Sequence, residues 1–210
     1  EVESSREKAK TSHVDFHAHR LILKKCAPEL ADMCGSGGDN MTAVPITDVK
    51  PDIFRHVLYY VYGGKVSDEE LKANAKDLID AADKFGIVSL KLEAEACYVK
   101  TATLTIDNML DNLLYADSKN CALLKEAVMD FIVENRDDII GKVSFDNIPG
   151  SMMTDLLTAM ARGTDEDDGT SDTSNYNNMR VGTLRRMLDD KGLDVDGSRE
   201  AMIALLKENS

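Results

Sequence analysis

The first apolar pattern in the chain changes its period within a few residues. Val14, Phe16 and Ala18 alternate with polar side chains, which is typical of a short β-strand. The apolar residues that follow, from Leu21 to Met33, fall mostly at the three- and four-residue spacing of a helix. This stretch therefore predicts a strand that runs directly into a helix.

Helical spacing recurs along the rest of the first 160 residues. A glycine-rich loop at 35–40 and a second predicted strand at 43–46 come first. The helices that follow are predicted to begin near residues 51, 67, 89, 107, 123 and 152. Their apolar stripes, several rich in methionine, are typical of core packing. We expect a mixed module of strands and helices, followed by additional helices.

The last 50 residues divide into two parts. Residues 162–178 contain no aliphatic side chain, so they cannot bury enough surface to offset the entropy of ordering. We predict a disordered acidic linker there. Two short amphipathic helices follow, one from Val181 to Leu188 and one from Ser198 to Leu206. They predict a compact helix-loop-helix unit over residues 179–208.

The charge of the chain is unevenly distributed. The net charge is −13, yet residues 176–210 carry six basic and six acidic side chains. An acidic body disfavours nucleic-acid binding through its own surface, so any such contact is expected to be local. No apolar run approaches the length of a membrane span, and no membrane contact is predicted.

No residue pattern indicates catalysis or a bound cofactor. The four cysteines, Cys26, Cys34, Cys97 and Cys121, lack paired spacing and are expected to be reduced, buried thiols of a nuclear or cytoplasmic protein. His17 and His19 lie on one face of the predicted strand, but a metal site needs three or four converging ligands. Nucleophile elbows, phosphate-binding loops and zinc-protease motifs are absent from the sequence. We predict a non-enzyme without metal or cofactor.

Four segments, in order and spacing, resemble the BTB (POZ) domain, a protein-interaction fold. They are residues 16–23, 46–54, 59–64 and 78–87, which read FHAHRLIL, ITDVKPDIF, YYVYGG and LIDAADKFGI. The helices that follow are similar to the BACK, or three-box, extension. The resemblance implies an α+β fold, with a small mixed sheet flanked by helices and an all-α extension. The predicted divisions are a polar segment 1–13, a BTB domain 14–101, the extension 102–161, the linker 162–178 and the final unit 179–208.

The resemblance implies an adaptor that homodimerises and binds a cullin-3-type ubiquitin ligase. Its candidate cullin contacts are Met33, Asp39, Met41 and Tyr62. Two departures bear on this interpretation. Residues 8–12 stand where these domains usually begin with a strand, and Met41 lacks the carboxylate that usually follows it. The alternative is a nuclear scaffold or transcription-associated protein that does not bind a cullin.

The final unit resembles a SAP motif, a module of many chromatin-associated proteins. Residues 181–188, 192–193, 197–199 and 202–206 carry the resemblance. It implies weak contact with chromatin or nucleic acid, through the candidate residues Arg180, Arg185, Arg186, Lys191 and Arg199. Two alternatives stay open: the unit binds protein, or it packs back on the extension helices without a ligand.

Overall fold

A computed structural model describes residues 14–35, 43–139, 142–144, 148–162 and 176–209. Within these ranges the chain is mainly helical. The helices are α1 (Arg20–Cys26), α2 (Pro28–Met33), α3 (Pro51–Val61), α4 (Asp68–Phe85), α5 (Val88–Thr101), α6 (Met109–Ser118), α7 (Ala122–Glu134), α8 (Arg136–Ile139), α9 (Gly150–Arg162), α10 (Val181–Asp190) and α11 (Arg199–Glu208), with a short 3₁₀ helix at Tyr176–Asn178.

The predicted mixed sheet is not found in the described part of the chain. The segments 14–18 and 43–46, which were predicted to be strands, have irregular backbone. The β-type pairing found among the described residues is an isolated bridge between Cys121 and Gly197. The alternation that suggested the first strand does not produce a buried face, because Val14 is 40% exposed. Phe16 instead packs its ring edge against Phe54, with ring centroids 5.0 Å apart. The α+β prediction is therefore wrong for the described residues.

The first module comprises the helices α1 to α5. Its core forms where α4 packs against α3 and α5. Phe85 is fully buried at the end of α4, and its ring meets that of Phe54 at 5.6 Å between centroids. The helix begins at Ser67, whose hydroxyl accepts a hydrogen bond from the backbone N–H of Glu70. It ends at Gly86, which has φ of 70° and lies where a Cβ would stand 3.0 Å from the side chain of Glu29. Only glycine fits both conditions.

The extension helices pack on this module through α7, which contacts α5, α6 and α9. Tyr115 of α6 fixes the position of its helix, because its hydroxyl donates to the Lys76 carbonyl oxygen and lies 3.1 Å from Asp80 Oδ1, both on α4. Burial and the nearby Asp80 carboxylate raise the pKa of Tyr115. The apolar cores of the two parts are therefore continuous.

The final helix-loop-helix, residues 176–209, is called the tail unit here. It has an apolar core of its own, composed of Tyr176, Met179, Val181, Leu184, Leu188, Met202, Ile203 and Leu206. The chain turns between α10 and α11 at Gly192, which has φ of 66°. Of the predicted linker, residues 163–175 lie outside the described residues. Tyr176 already belongs to the tail unit, since its side chain is only 8% exposed.

The expectation of buried thiols is wrong for three of the four cysteines. Cys26 and Cys34 are exposed, Cys97 is half-buried, and all four thiols are free. Cys26 lies among the polar positions of the short helix α1, so its place in an apolar run did not determine its burial. Cys121 is buried, and burial together with the negative charge of Glu95 raises the pKa of its thiol to about 12.

Candidate protein-interaction surfaces

Two exposed tyrosines at the end of α3 form what we call the tyrosine surface, Tyr59 and Tyr62. They are 58% and 43% exposed. The hydroxyl of Tyr62 accepts a hydrogen bond from the backbone N–H of His19 at 2.7 Å and lies 2.8 Å from His19 Nδ1. The ring of Tyr59 lies close to Gly64. The Tyr62 ring is therefore held in place by His19, and both phenol rings remain accessible.

The contact with Tyr62 gives His19 a structural role at the start of α1. His17 is exposed, so the two imidazoles do not converge with other ligands. Among the residues that the structure describes, no group of three or more His, Cys, Asp or Glu side chains is placed to hold a metal ion. In the same ranges no helix is long and apolar enough to cross a bilayer.

The structure describes only part of the predicted cullin-contact set. Met33, at the end of α2, is 39% exposed, and Tyr62 belongs to the tyrosine surface. Asp39 and Met41 lie outside the described residues. A further exposed apolar side chain, Leu21 of α1, is 83% exposed and stands two residues from the His19 contact with Tyr62. Helical spacing had grouped Leu21 with the core positions, but α1 is short and only Leu23 of its residues is buried.

The predicted nucleic-acid residues of the tail unit are largely engaged within the chain. Arg180 pairs with Asp130 and lies 3.9 Å from Glu126. The side chain of Arg185 is largely buried, and its Nη2 lies 2.8 Å from Oε2 of Glu95. These two arginines therefore contact carboxylates of α5 and α7.

The other three basic residues contact the tail unit or face solvent. Arg199 donates to the backbone carbonyl oxygens of Asn177 and Met179, at 2.7 and 2.8 Å. Lys191 donates to the carbonyl oxygen of Asn209 at 2.6 Å, and Arg186 is exposed. The five residues therefore do not form one accessible basic patch.

Two buried carboxylates, Glu95 and Glu126, contact the tail unit, and the sequence pattern did not predict this role. Glu95 is 1% exposed, and its carboxylate accepts hydrogen bonds from the backbone N–H groups of Leu123 and Leu124 in the first turn of α7. Glu126 in turn accepts from the N–H of Val181, at the start of α10. A carboxylate at a helix N-terminus satisfies free N–H groups and complements the helix dipole. The available signal was a charged residue inside an otherwise apolar stripe.

Lys91 is a third buried charge, one turn before Glu95 on α5. Its ammonium lies 2.9 Å from Asp83 on α4 and 3.0 Å from Asp196 in the tail unit. Burial lowers the pKa of Lys91, but hydrogen bonds to these two carboxylates outweigh that effect and raise it overall. The first module therefore contacts the tail unit through a charged face of α5.

Comparison with known proteins agrees with a protein-interaction module. Residues 8–102 match the family model of the BTB/POZ domain. The chain therefore contains a BTB/POZ domain, and this domain is an interaction module rather than an enzyme family. The match ends at residue 102, so the BACK-like and SAP-like assignments of the remaining helices stay predictions.

Two curated relatives illustrate the similarity. The mouse TD and POZ domain-containing protein 1-like is 30% identical over 120 residues, which are 56% of this chain and 32% of that protein. The Arabidopsis thaliana BTB/POZ and MATH domain-containing protein 4 is 26% identical over 164 residues, 70% of this chain and 35% of that protein. The chain thus aligns with about a third of the length of either relative.

Proposed function

We propose that this chain is a non-enzymatic adaptor that binds a cullin-3-type ubiquitin ligase scaffold through the tyrosine surface. The observation that carries the proposal is the pair of exposed rings, of which that of Tyr62 is held in place by His19. Tyrosine is enriched in protein interfaces, where it supplies a large contact area at small entropic cost. The resemblance described above implies that this end of α3 faces the cullin. The recruited ligase would transfer ubiquitin, and the chain would contribute proximity.

Replacing Tyr62 with alanine is expected to weaken cullin binding about tenfold or more, as for an aromatic interface anchor. The measurement is titration of a purified cullin-3 N-terminal domain against the full chain. Leu157→Ala is the matched control, because Leu157 is 60% exposed on α9, far along the chain from α3. Circular dichroism checks that both variants fold.

Two results of this titration would count against the proposal. Absence of a wild-type complex at micromolar concentration would favour the alternative, a nuclear scaffold or transcription-associated protein that does not bind a cullin. Equal affinities of Tyr62→Ala and Leu157→Ala would place the cullin contact elsewhere. Since only Met33 and Tyr62 of the predicted set are described, the glycine-rich loop should be tested separately with Met41→Ala.

We further propose that the BTB domain mediates homodimerisation. BTB domains mediate protein-protein interactions that include dimerisation, and Leu21 offers an apolar side chain that is 83% exposed on α1. Light scattering of the full chain is expected to give twice the monomer mass of 23.1 kDa. Leu21→Asp should shift the chain toward monomer, whereas Leu157→Asp should not. A wild-type monomer at high concentration would contradict the proposal.

We do not extend the proposed function to nucleic acid. Arg180 and Arg185 contact carboxylates of α7 and α5, and Arg199 contacts carbonyl oxygens within the tail unit. Contact of the tail unit with chromatin or nucleic acid therefore stays a prediction that would depend mainly on Arg186 and Lys191. The nuclear or cytoplasmic location also stays a prediction.

A further inference from the structure

The tail unit rests on the rest of the chain mainly through polar contacts. It has its own apolar core, which among the described residues outside the tail unit is joined by Ala122 and Leu123 at the start of α7. The remaining contacts described above are the ion pairs of Arg180, Arg185 and Asp196 and the hydrogen bond from Val181 to Glu126. Polar interfaces between units of one chain commonly permit relative motion.

The buried charges of this interface are incompletely satisfied. Arg185 Nε and Nη2 donate no well-aligned hydrogen bond, although Nη2 lies 2.8 Å from Glu95. Asp196 Oδ1 is likewise buried without a hydrogen bond. Removing charges from water is costly unless each is fully hydrogen-bonded, so these pairs contribute little net stability to docking. An open cleft of about 490 Å³, lined by α7, α9 and α11, further limits the contact.

We infer that the tail unit docks reversibly on the surface formed by Glu95, Cys121, Ala122 and Glu126, which we call the tail-binding surface. When docked, the tail unit covers this surface. Glu95 and Glu126 and the apolar start of α7 contact α10, whose N-cap is Arg180 and which carries Arg185. The tail unit belongs to the same chain as this surface, so its effective concentration there is on the order of millimolar. Docking is therefore favoured although each contact is weak. Release exposes the part of this surface that the docked tail unit buries.

Cys121 is a direct reporter of release. It lies on the tail-binding surface, its backbone bridges to Gly197 of the tail unit, and its side chain is 1% exposed. Alkylating reagents react with the thiolate, and the thiol pKa of about 12 in the docked state keeps that form scarce. Undocking removes part of the burial that raises this pKa, so access and thiolate fraction both increase. Replacing the other three cysteines with serine leaves Cys121 as the sole target.

The experiment measures iodoacetamide labelling of Cys121 in the full chain carrying Cys26→Ser, Cys34→Ser and Cys97→Ser. Adding Arg185→Ala is expected to accelerate labelling about tenfold, because it leaves Glu95 without its partner in the tail unit. The matched control is Arg186→Ala, which removes the neighbouring exposed arginine.

Hydrogen exchange of α4 distinguishes local release from unfolding, since α4 lies in the core of the first module. Release predicts faster Cys121 labelling while α4 stays equally protected. The inference is overturned if Arg185→Ala labels at the rate of Arg186→Ala. It is also overturned if every acceleration is matched by faster exchange in α4, because the tail unit would then open only with the whole chain. Neither outcome depends on whether the chain binds a cullin.

Discussion

Glu95→Ala is expected to lower the free energy of unfolding by about 3–5 kcal/mol, the usual cost of breaking a buried charge pair by removing one partner. The carboxylate is 1% exposed and accepts two backbone N–H groups at the start of α7. Its loss leaves these donors buried without an acceptor and leaves the charge of Arg185 unpaired. Urea unfolding followed by circular dichroism measures the change.

Two further variants separate the causes of this effect. Glu95→Gln keeps an oxygen that can accept from α7 but removes the negative charge, so it should cost less than Glu95→Ala. Glu93→Ala removes a partly exposed carboxylate from the same helix and should change the free energy of unfolding by no more than about 0.5 kcal/mol. An equal loss in Glu93→Ala and Glu95→Ala would contradict the assigned role of Glu95.

Phe85→Ala is expected to cost about 3–5 kcal/mol of unfolding free energy, the range for removing a buried phenylalanine ring. Phe85 is fully buried, its ring meets Phe54 edge-on, and Phe54 in turn contacts Phe16. The substitution therefore leaves a cavity in the row of rings that joins α3, α4 and the segment before α1. Thermal and urea unfolding monitored by circular dichroism provide the measurement.

Phe85→Leu is the conservative companion, and it should lose less because most of the volume remains. Val88→Ala, at a position 37% exposed at the start of α5, serves as the surface control. A loss below about 1 kcal/mol in Phe85→Ala would mean that the α3–α4 packing does not stabilise the first module. The dimer test should accompany this measurement, because dimerisation adds to the apparent stability.

The helices of this protein could be predicted from local pattern because a helix satisfies its own backbone hydrogen bonds. The predicted helix start near residue 67 is confirmed, because the hydroxyl of Ser67 caps the first turn of α4. The predicted strand at 14–18 failed for the opposite reason. A strand needs a neighbouring chain to accept its hydrogen bonds, and alternation over a few residues does not provide one.

The candidate surfaces were predicted unevenly. Tyr59, Tyr60 and Tyr62 cannot all lie on one face of a helix, and two of them, Tyr59 and Tyr62, are exposed. The partner of Tyr62 in the structure is His19, which is 43 residues away, so spacing along the chain could not reveal it. The basic residues of the tail unit were predicted to be accessible to nucleic acid. The sequence gives the charge of each side chain, but it does not show which carboxylates lie next to that side chain in the fold.

The helical segments, the resemblance to a BTB domain and the helix-loop-helix tail unit could all be predicted from the order of the residues. Each depends on residues close together in the chain or on spacing within a segment. The contacts of Arg180 and Arg185 with Glu95, Glu126 and Asp130 become visible only in the folded chain. Burial and charge pairing arise between segments that are distant in sequence, and they engage within the chain two arginines that were predicted to bind nucleic acid.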